Sequence, residues 1–228
     1  MCSNQRRLHH LACEDQNRDA LIEAGAVPAL VQRLQPESPT DVQLAVATAL
    51  QILANDPRNQ SDFVAAGAIP PLVQLLESDP WGGVEAAAAA VLSNLSSHDG
   101  PTRISAAIAT AGAIPALVQL LVAPDCPGVQ EAAAAALGNL AADIVLSQAI
   151  AAAGAIPALV RLLAPDCPAN VQETAAAALR NLSAFQAQTA AAIIAAGAVS
   201  ALEQLLGPNS PADVQAAAAA ALRNLQHD

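Results

Sequence analysis

The sequence repeats itself, and the repeat limits what it can fold into more than any other feature. The octet Ala-Gly-Ala-(Val/Ile)-Pro-x-Leu-Val recurs with its glycine at Gly25, Gly67, Gly112, Gly154 and, in weaker form, Gly197, at spacings of 42, 45, 42 and 43 residues. Seventeen residues after each Gly a valine opens an Ala-rich segment: Val42, Val84, Val129, Val171 and Val214. Eight and eleven residues beyond each Val stand paired leucines, from Leu50 and Leu53 to Leu222 and Leu225. Units this short cannot build one central core, so each must bury its apolar face against the next.

Composition names the element. The chain is 54% hydrophobic, but 59 of its 228 residues are Ala, the best helix former and a poor strand former. Each unit reads as three helices. A short first helix ends at the Gly, which takes the left-handed conformation, and Pro28, Pro70, Pro115 and Pro157 fit the first turn of the second helix. The second helix carries Leu-Val-x-x-Leu, as in Leu117, Val118, Leu120 and Leu121. A third, Ala-rich helix follows, with Asp41, Asn170 and Asp213 expected as N-caps and Gly83 and Gly128 as substitutes.

These residues make the sequence resemble the armadillo repeat family, the solenoids of importin-α and β-catenin type. The resemblance implies an all-α, right-handed α-solenoid with three helices per repeat; HEAT repeats have a similar period without this punctuation. The implied organisation is one continuous domain: a partial N-terminal repeat over 1–16, marked by Leu8 and Leu11, then repeats over 17–55, 56–98, 99–142, 143–184 and 185–228. Both ends would lack a polar capping repeat.

The resemblance also implies a function, a non-catalytic scaffold that binds a protein or peptide partner as an extended segment along the concave face of the third helices. The family's ladder asparagines match Asn94, Asn139, Asn181 and Asn224, with Ile52 in the first repeat. A side-chain amide offers both donor and acceptor to a peptide backbone; the plainer alternative is that each Asn bonds a neighbouring helix carbonyl. One position earlier stand Gln51, Ser93, Gly138, Arg180 and Arg223, of which Arg180 and Arg223 can pair with ligand carboxylates. Where peptide-binding relatives place a Trp, four residues before the Asn, this chain has Thr48, Ala90, Ala135, Ala177 and Ala220. Four amide contacts at about 0.5–1.5 kcal/mol each fall short of the ~8 kcal/mol of micromolar binding. Further energy must come from bulky partner groups or another surface. Two other readings stay open: a structural module that self-associates end to end, or an idealised sequence without a selected ligand, and a regulatory arm of a larger enzyme such as a ubiquitin ligase.

Other partners and chemistries find little support. With a net charge of −11, no Lys, two Phe and one Trp, the chain lacks the basic and aromatic groups that nucleic acid requires, and an anionic membrane surface repels it. The stretches 104–124 and 181–202 are uncharged over about a membrane span, yet both are copies of the repeat. Met1 to His10 has no apolar segment of signal type. Cys126 and Cys167 occupy equivalent points on neighbouring repeats, about 8–10 Å apart and beyond disulfide reach. Free thiols point to a reducing compartment, the cytoplasm or the nucleus. Cys2, His9, His10 and Cys13 are metal-ligand types without a second pair at ligand spacing, so no metal or cofactor is expected. Neither Ser97, His98 and Asp99 nor the Asp125-Cys126 pair forms a recognisable catalytic set. Trp81 is a loop residue able to anchor an interface. Glu85, Glu131 and Glu173, near third-helix N-termini, are expected to favour the helix and solubility.

Overall fold

The computed structural model describes residues 15–35, 37–77, 83–97, 104–124 and 126–226. Among these residues all regular structure is helical, and the chain divides into two compact units. The first unit, Met1–Ala113, holds α1 (Asp15–Glu23), α2 (Ala26–Val31), α3 (Thr40–Ala54), a 3-10 turn (Pro57–Asn59), α4 (Gln60–Ala65), α5 (Ile69–Leu75), α6 (Val84–Ser96) and α7 (Ile104–Thr110). The second, Ile114–Asp228, holds α8 (Ala113–Leu120, whose first residue closes the first unit), α9 (Pro127–Leu140), α10 (Ile144–Ala152), α11 (Ala155–Arg161), α12 (Ala169–Ser183), α13 (Ala187–Ala195), α14 (Ala198–Leu205) and α15 (Ala212–Gln226). The elements run short, short, long throughout.

The break between first and second helices is as expected. Gly25, Gly67, Gly112, Gly154 and Gly197 have φ between +63° and +89°, a region that costs glycine nothing. The Gly154 amide closes α10 on the Ala151 carbonyl while the same residue caps α11. The third-helix caps differ from expectation. Gly83 caps α6, but α3, α9 and α12 begin behind Pro39, Cys126 and Pro168. Asp41, Gly128, Asn170 and Asp213 therefore lie inside the first turn. Proline fixes its own φ and can start the helix a residue or two before the side-chain cap the sequence suggested.

Glutamine performs a closure that the caps do not. The residue after the valine is Gln43, Gln130, Gln172 or Gln215, and its Nε2 reaches back to a carbonyl at the end of the preceding second helix or loop: Gln35, Ala123, Ala164, and Gly207 with Ser210, at 2.7–3.0 Å. In the second repeat the residue is Glu85, which has no N–H to give. It is 1% exposed and its Oε2 has no hydrogen-bond partner among the described residues, so it is not the solubilising surface carboxylate expected. Glu173 is exposed and Glu131 half-buried, the latter bonded by Asn170 Nδ2.

The core runs as a thin layer through each unit. In the first, Leu50, Leu53, Phe63, Leu72, Leu92 and Leu95 are buried; in the second, Leu137, Leu159, Leu179, Leu182, Leu202 and Leu222. Third helices pack side by side, α3 on α6, α9 on α12 and α12 on α15. Buried Ala133, Ala134, Ala175, Ala176 and Ala178 keep that spacing small. At Gly138 even a methyl group is excess, because a Cβ there would stand 3.2 Å from the Ala178 Cα.

No single described helix is long and apolar enough to cross a membrane. α10 and α11 together pass by length and composition, but the chain bends 78° between them.

Candidate functional site

The ladder residues sit in the last turn of the third helices: Asn94 on α6, Asn139 on α9, Asn181 on α12 and Asn224 on α15. All four are half-buried, as is Ile52 on α3. Their position follows from the leucine pair, since an Asn between the buried Leu92 and Leu95, or Leu179 and Leu182, lands at the margin of the buried face.

Three of these amides perform a structural task. The last carbonyls of a helix have no intrahelical donor. No backbone amide reaches the Gly138 carbonyl, because Ala141 N bonds Leu137 and Ala142 N bonds Asn139. Asn181 Nδ2 of the next repeat supplies the missing donor at 2.7 Å. In the same way Asn94 Nδ2 donates to the Gln51 carbonyl at 3.1 Å, while Asn224 Nδ2 donates at 3.1 Å to the Arg180 carbonyl, which also accepts from Ser183 Oγ at 2.8 Å. The alternative reading from sequence, an Asn bonded to a helix carbonyl, is thus realised, but on the preceding repeat's helix. Each bond fastens one third helix to the next.

A primary amide has two N–H groups and an oxygen with two lone pairs, so one such bond leaves capacity that differs among the rungs. Asn224 retains an N–H and its Oδ1 among the described residues. Asn94 donates also to Asn55 Oδ1 at 2.7 Å, which leaves its oxygen. Asn181 Oδ1 already accepts from Arg180 Nε and Nη2 at 3.2 and 3.0 Å. Arg180 is half-buried and Arg223 exposed.

The profile of the armadillo/β-catenin-like repeat matches residues 14–54, 102–142, 146–184 and 187–225. The chain belongs to the armadillo repeat family. Its fold class is all-α, an α-solenoid of armadillo repeats. An engineered protein solved by the Northeast Structural Genomics Consortium is similar at 34% identity over 98% of this chain and 89% of that one, with a TM-score of 0.88. A designed armadillo repeat protein is similar at 33% identity over 98% of this chain and 92% of that one, TM-score 0.86. Another, solved in complex with the peptide (KR)4, is 30% identical over 98% of this chain and 92% of that one, TM-score 0.84. No curated protein gives a significant match.

Against the armadillo pattern, the positions of the missing Trp residues are half-buried Thr48, Ala90, Ala135, Ala177 and Ala220, one turn before the rung register on each third helix. Sequence reading missed three exposed apolar residues of the second unit. Ile144, Val145 and Phe185 are 49%, 66% and 51% exposed, and Gln186, just before α13, bonds the Ile144 carbonyl and Gln148 of α10. These residues follow no period, so the repeat gave no signal for them. In the first unit an open depression of about 470 Å³ lies among Val64, Ile69, Pro70, Ala107 and Thr110, on first and second helices away from the rungs.

Cys126 and Cys167 are free thiols, and burial raises the Cys167 pKa above the ordinary thiol value, with Asp166 adding to the effect. Among the described residues no group of three or more His, Cys, Asp or Glu can hold a metal ion. Cys2, His9, His10, Cys13, Trp81, His98, Asp99 and Asp125 lie outside the described residues.

Proposed function

We propose that this armadillo protein is a non-catalytic scaffold that binds an extended peptide segment through the peptide backbone. The rungs are Asn139, Asn181 and Asn224 in the second unit and Asn94 in the first, with Arg180 and Arg223 flanking the C-terminal rungs. The observation that carries this reading is the half-buried amide repeated at one register of the third helices, with polar atoms left over at Asn94 and Asn224. Third helices lie about 8–10 Å apart and an extended chain rises about 3.4 Å per residue, so each rung serves two to three peptide residues. The relative solved in complex with (KR)4 supports a peptide as ligand on this fold.

Backbone pairing alone is too weak, at about 1 kcal/mol per bond. The alanines at the family's Trp positions leave room for bulky peptide side chains, and exposed Ile144, Val145 and Phe185 offer further apolar surface. Free cysteines support a reducing compartment, cytoplasmic or nuclear. The reading includes neither a nucleic-acid nor a membrane partner. A uniform module without a selected ligand is a second reading, favoured by the designed character of the relatives.

The test is a fluorescence titration of a library of extended peptides of about eight residues against the protein and its Asn139→Ala and Asn181→Ala variants. Loss of affinity by about threefold to tenfold in the variants supports backbone recognition. Unchanged affinity in both variants rules the mechanism out, and a library without any binder favours the second reading.

A further inference from the structure

Among Asn94, Asn181 and Asn224, the rung Asn181 has its oxygen occupied by an arginine. Arg180 Nε and Nη2 both point at Asn181 Oδ1, at 3.2 and 3.0 Å, while one N–H of Asn181 Nδ2 goes to the Gly138 carbonyl. Two N–H groups on one oxygen use both of its lone pairs. A peptide N–H that needs this oxygen meets a closed acceptor. The other rim positions carry Gln51, Ser93 and Gly138, with no guanidinium, and Arg223 is exposed and makes no such bond to Asn224.

We infer that Arg180 is a latch that makes this rung selective for a peptide carrying a carboxylate side chain next to the amide that Asn181 accepts. The inference rests on the backbone-binding reading above and adds the chemistry of the ligand. A carboxylate matches the guanidinium fork with two charge-assisted bonds, stronger than the fork's bonds to a neutral amide oxygen. Arg180 then swings from Asn181 to the ligand, and Asn181 Oδ1 is released to accept the peptide N–H. A neutral peptide must break the Arg180–Asn181 bonds without replacing them, and a cationic one meets Arg180 directly.

The surrounding charges suit this assignment. Arg223 occupies the same register on α15, packed beside α12, and adds a second cation. Asp143, at the start of α10, has its Oδ1 accepting from the Val145 and Leu146 amides. Glu173 lies seven residues up α12, about 10 Å along the axis. The net charge of −11 opposes an acidic ligand at long range, but salt screens that field beyond about 8 Å. At the rung the local pair decides.

The experiment compares peptides of about eight residues that differ only by Glu, Gln or Lys at each position in turn. Affinities are measured for the protein, Arg180→Gln, Arg180→Lys and Asn181→Ala, each checked by thermal melting. For the unsubstituted protein one position is expected to favour Glu over Gln by about fivefold, with Lys weakest. In Arg180→Gln that preference falls below about twofold and the Gln peptide binds more tightly than to the parent; Arg180→Lys, which keeps the charge without the fork, is intermediate. An unchanged Glu-to-Gln ratio in Arg180→Gln, or weaker binding of the neutral peptide, overturns the latch. If Asn181→Ala weakens binding while that ratio is unchanged, only the latch fails; if Asn181→Ala weakens no peptide, the backbone reading fails with it.

Discussion

At the scale of single residues, two side chains depart from the repeat in ways that carry a measurable cost or gain. Glu85 stands where four repeats place a Gln that closes the loop, and its buried Oε2 has no partner among the described residues. A buried unsatisfied polar group costs about 1–3 kcal/mol, so Glu85→Gln, which restores a donor towards the Glu77 carbonyl eight residues back, is expected to raise the melting temperature by about 2–6 °C. A calorimetric scan checks this, and a lower melting temperature contradicts it. Gly138 departs in the other direction. Gly to Ala within a helix normally gains about 1 kcal/mol, but the added methyl would meet the Ala178 backbone at 3.2 Å, where no flexible side-chain end can give way. Denaturant unfolding of Gly138→Ala is expected to show no gain. At Asp56, the Arg58 side chain and amide hold the carboxyl below its ordinary value of 3.8. A depressed carboxylate stabilises fully above its unfolded pKa and loses that stabilisation as pH falls through the folded value. The melting temperature of Asp56→Asn should therefore trail the parent near neutral pH and converge with it as the pH falls below the ordinary carboxyl value of 3.8; a constant difference over that range contradicts the assignment.

At the scale of elements, the phase of the repeat predicts three helices per unit because Gly and Pro act locally: a positive φ at Gly154 and a fixed φ at Pro157 need no tertiary information. Helix starts are less legible. Asp41 and Asn170 look like caps, yet Pro39 and Pro168 begin the helices first. The register of the rungs was readable, since Asn181 sits between Leu179 and Leu182. Their tie to the preceding helix was not, because the Gly138 carbonyl becomes an orphan only when Ala142 turns its amide to Asn139. Ile144, Val145 and Phe185 were invisible for want of periodicity. The tie carries its own consequence: Asn181→Ala leaves the Gly138 carbonyl without a donor and should cost about 1 kcal/mol of stability, seen as a lower urea midpoint. Thr substituted at the same site still offers an O–H but is too short to span the gap, so it should rescue little.

At the scale of the whole molecule, an Ala-rich repeat makes thin cores closed by neighbours, and the same small side chains leave third-helix faces with rungs but without aromatic pockets. That combination separates backbone recognition from side-chain recognition, and a single chemical change in the ligand addresses it. Replacing one peptide amide by an ester removes the N–H that a rung accepts and leaves the side chains unchanged. Affinities of amide and ester peptides for the parent and for Asn224→Ala form a double-mutant cycle. If Asn224 holds the backbone, the ester facing it weakens binding to the parent by about threefold to tenfold and has no effect on Asn224→Ala. Equal losses in both proteins, at every ester position, contradict backbone recognition by the ladder.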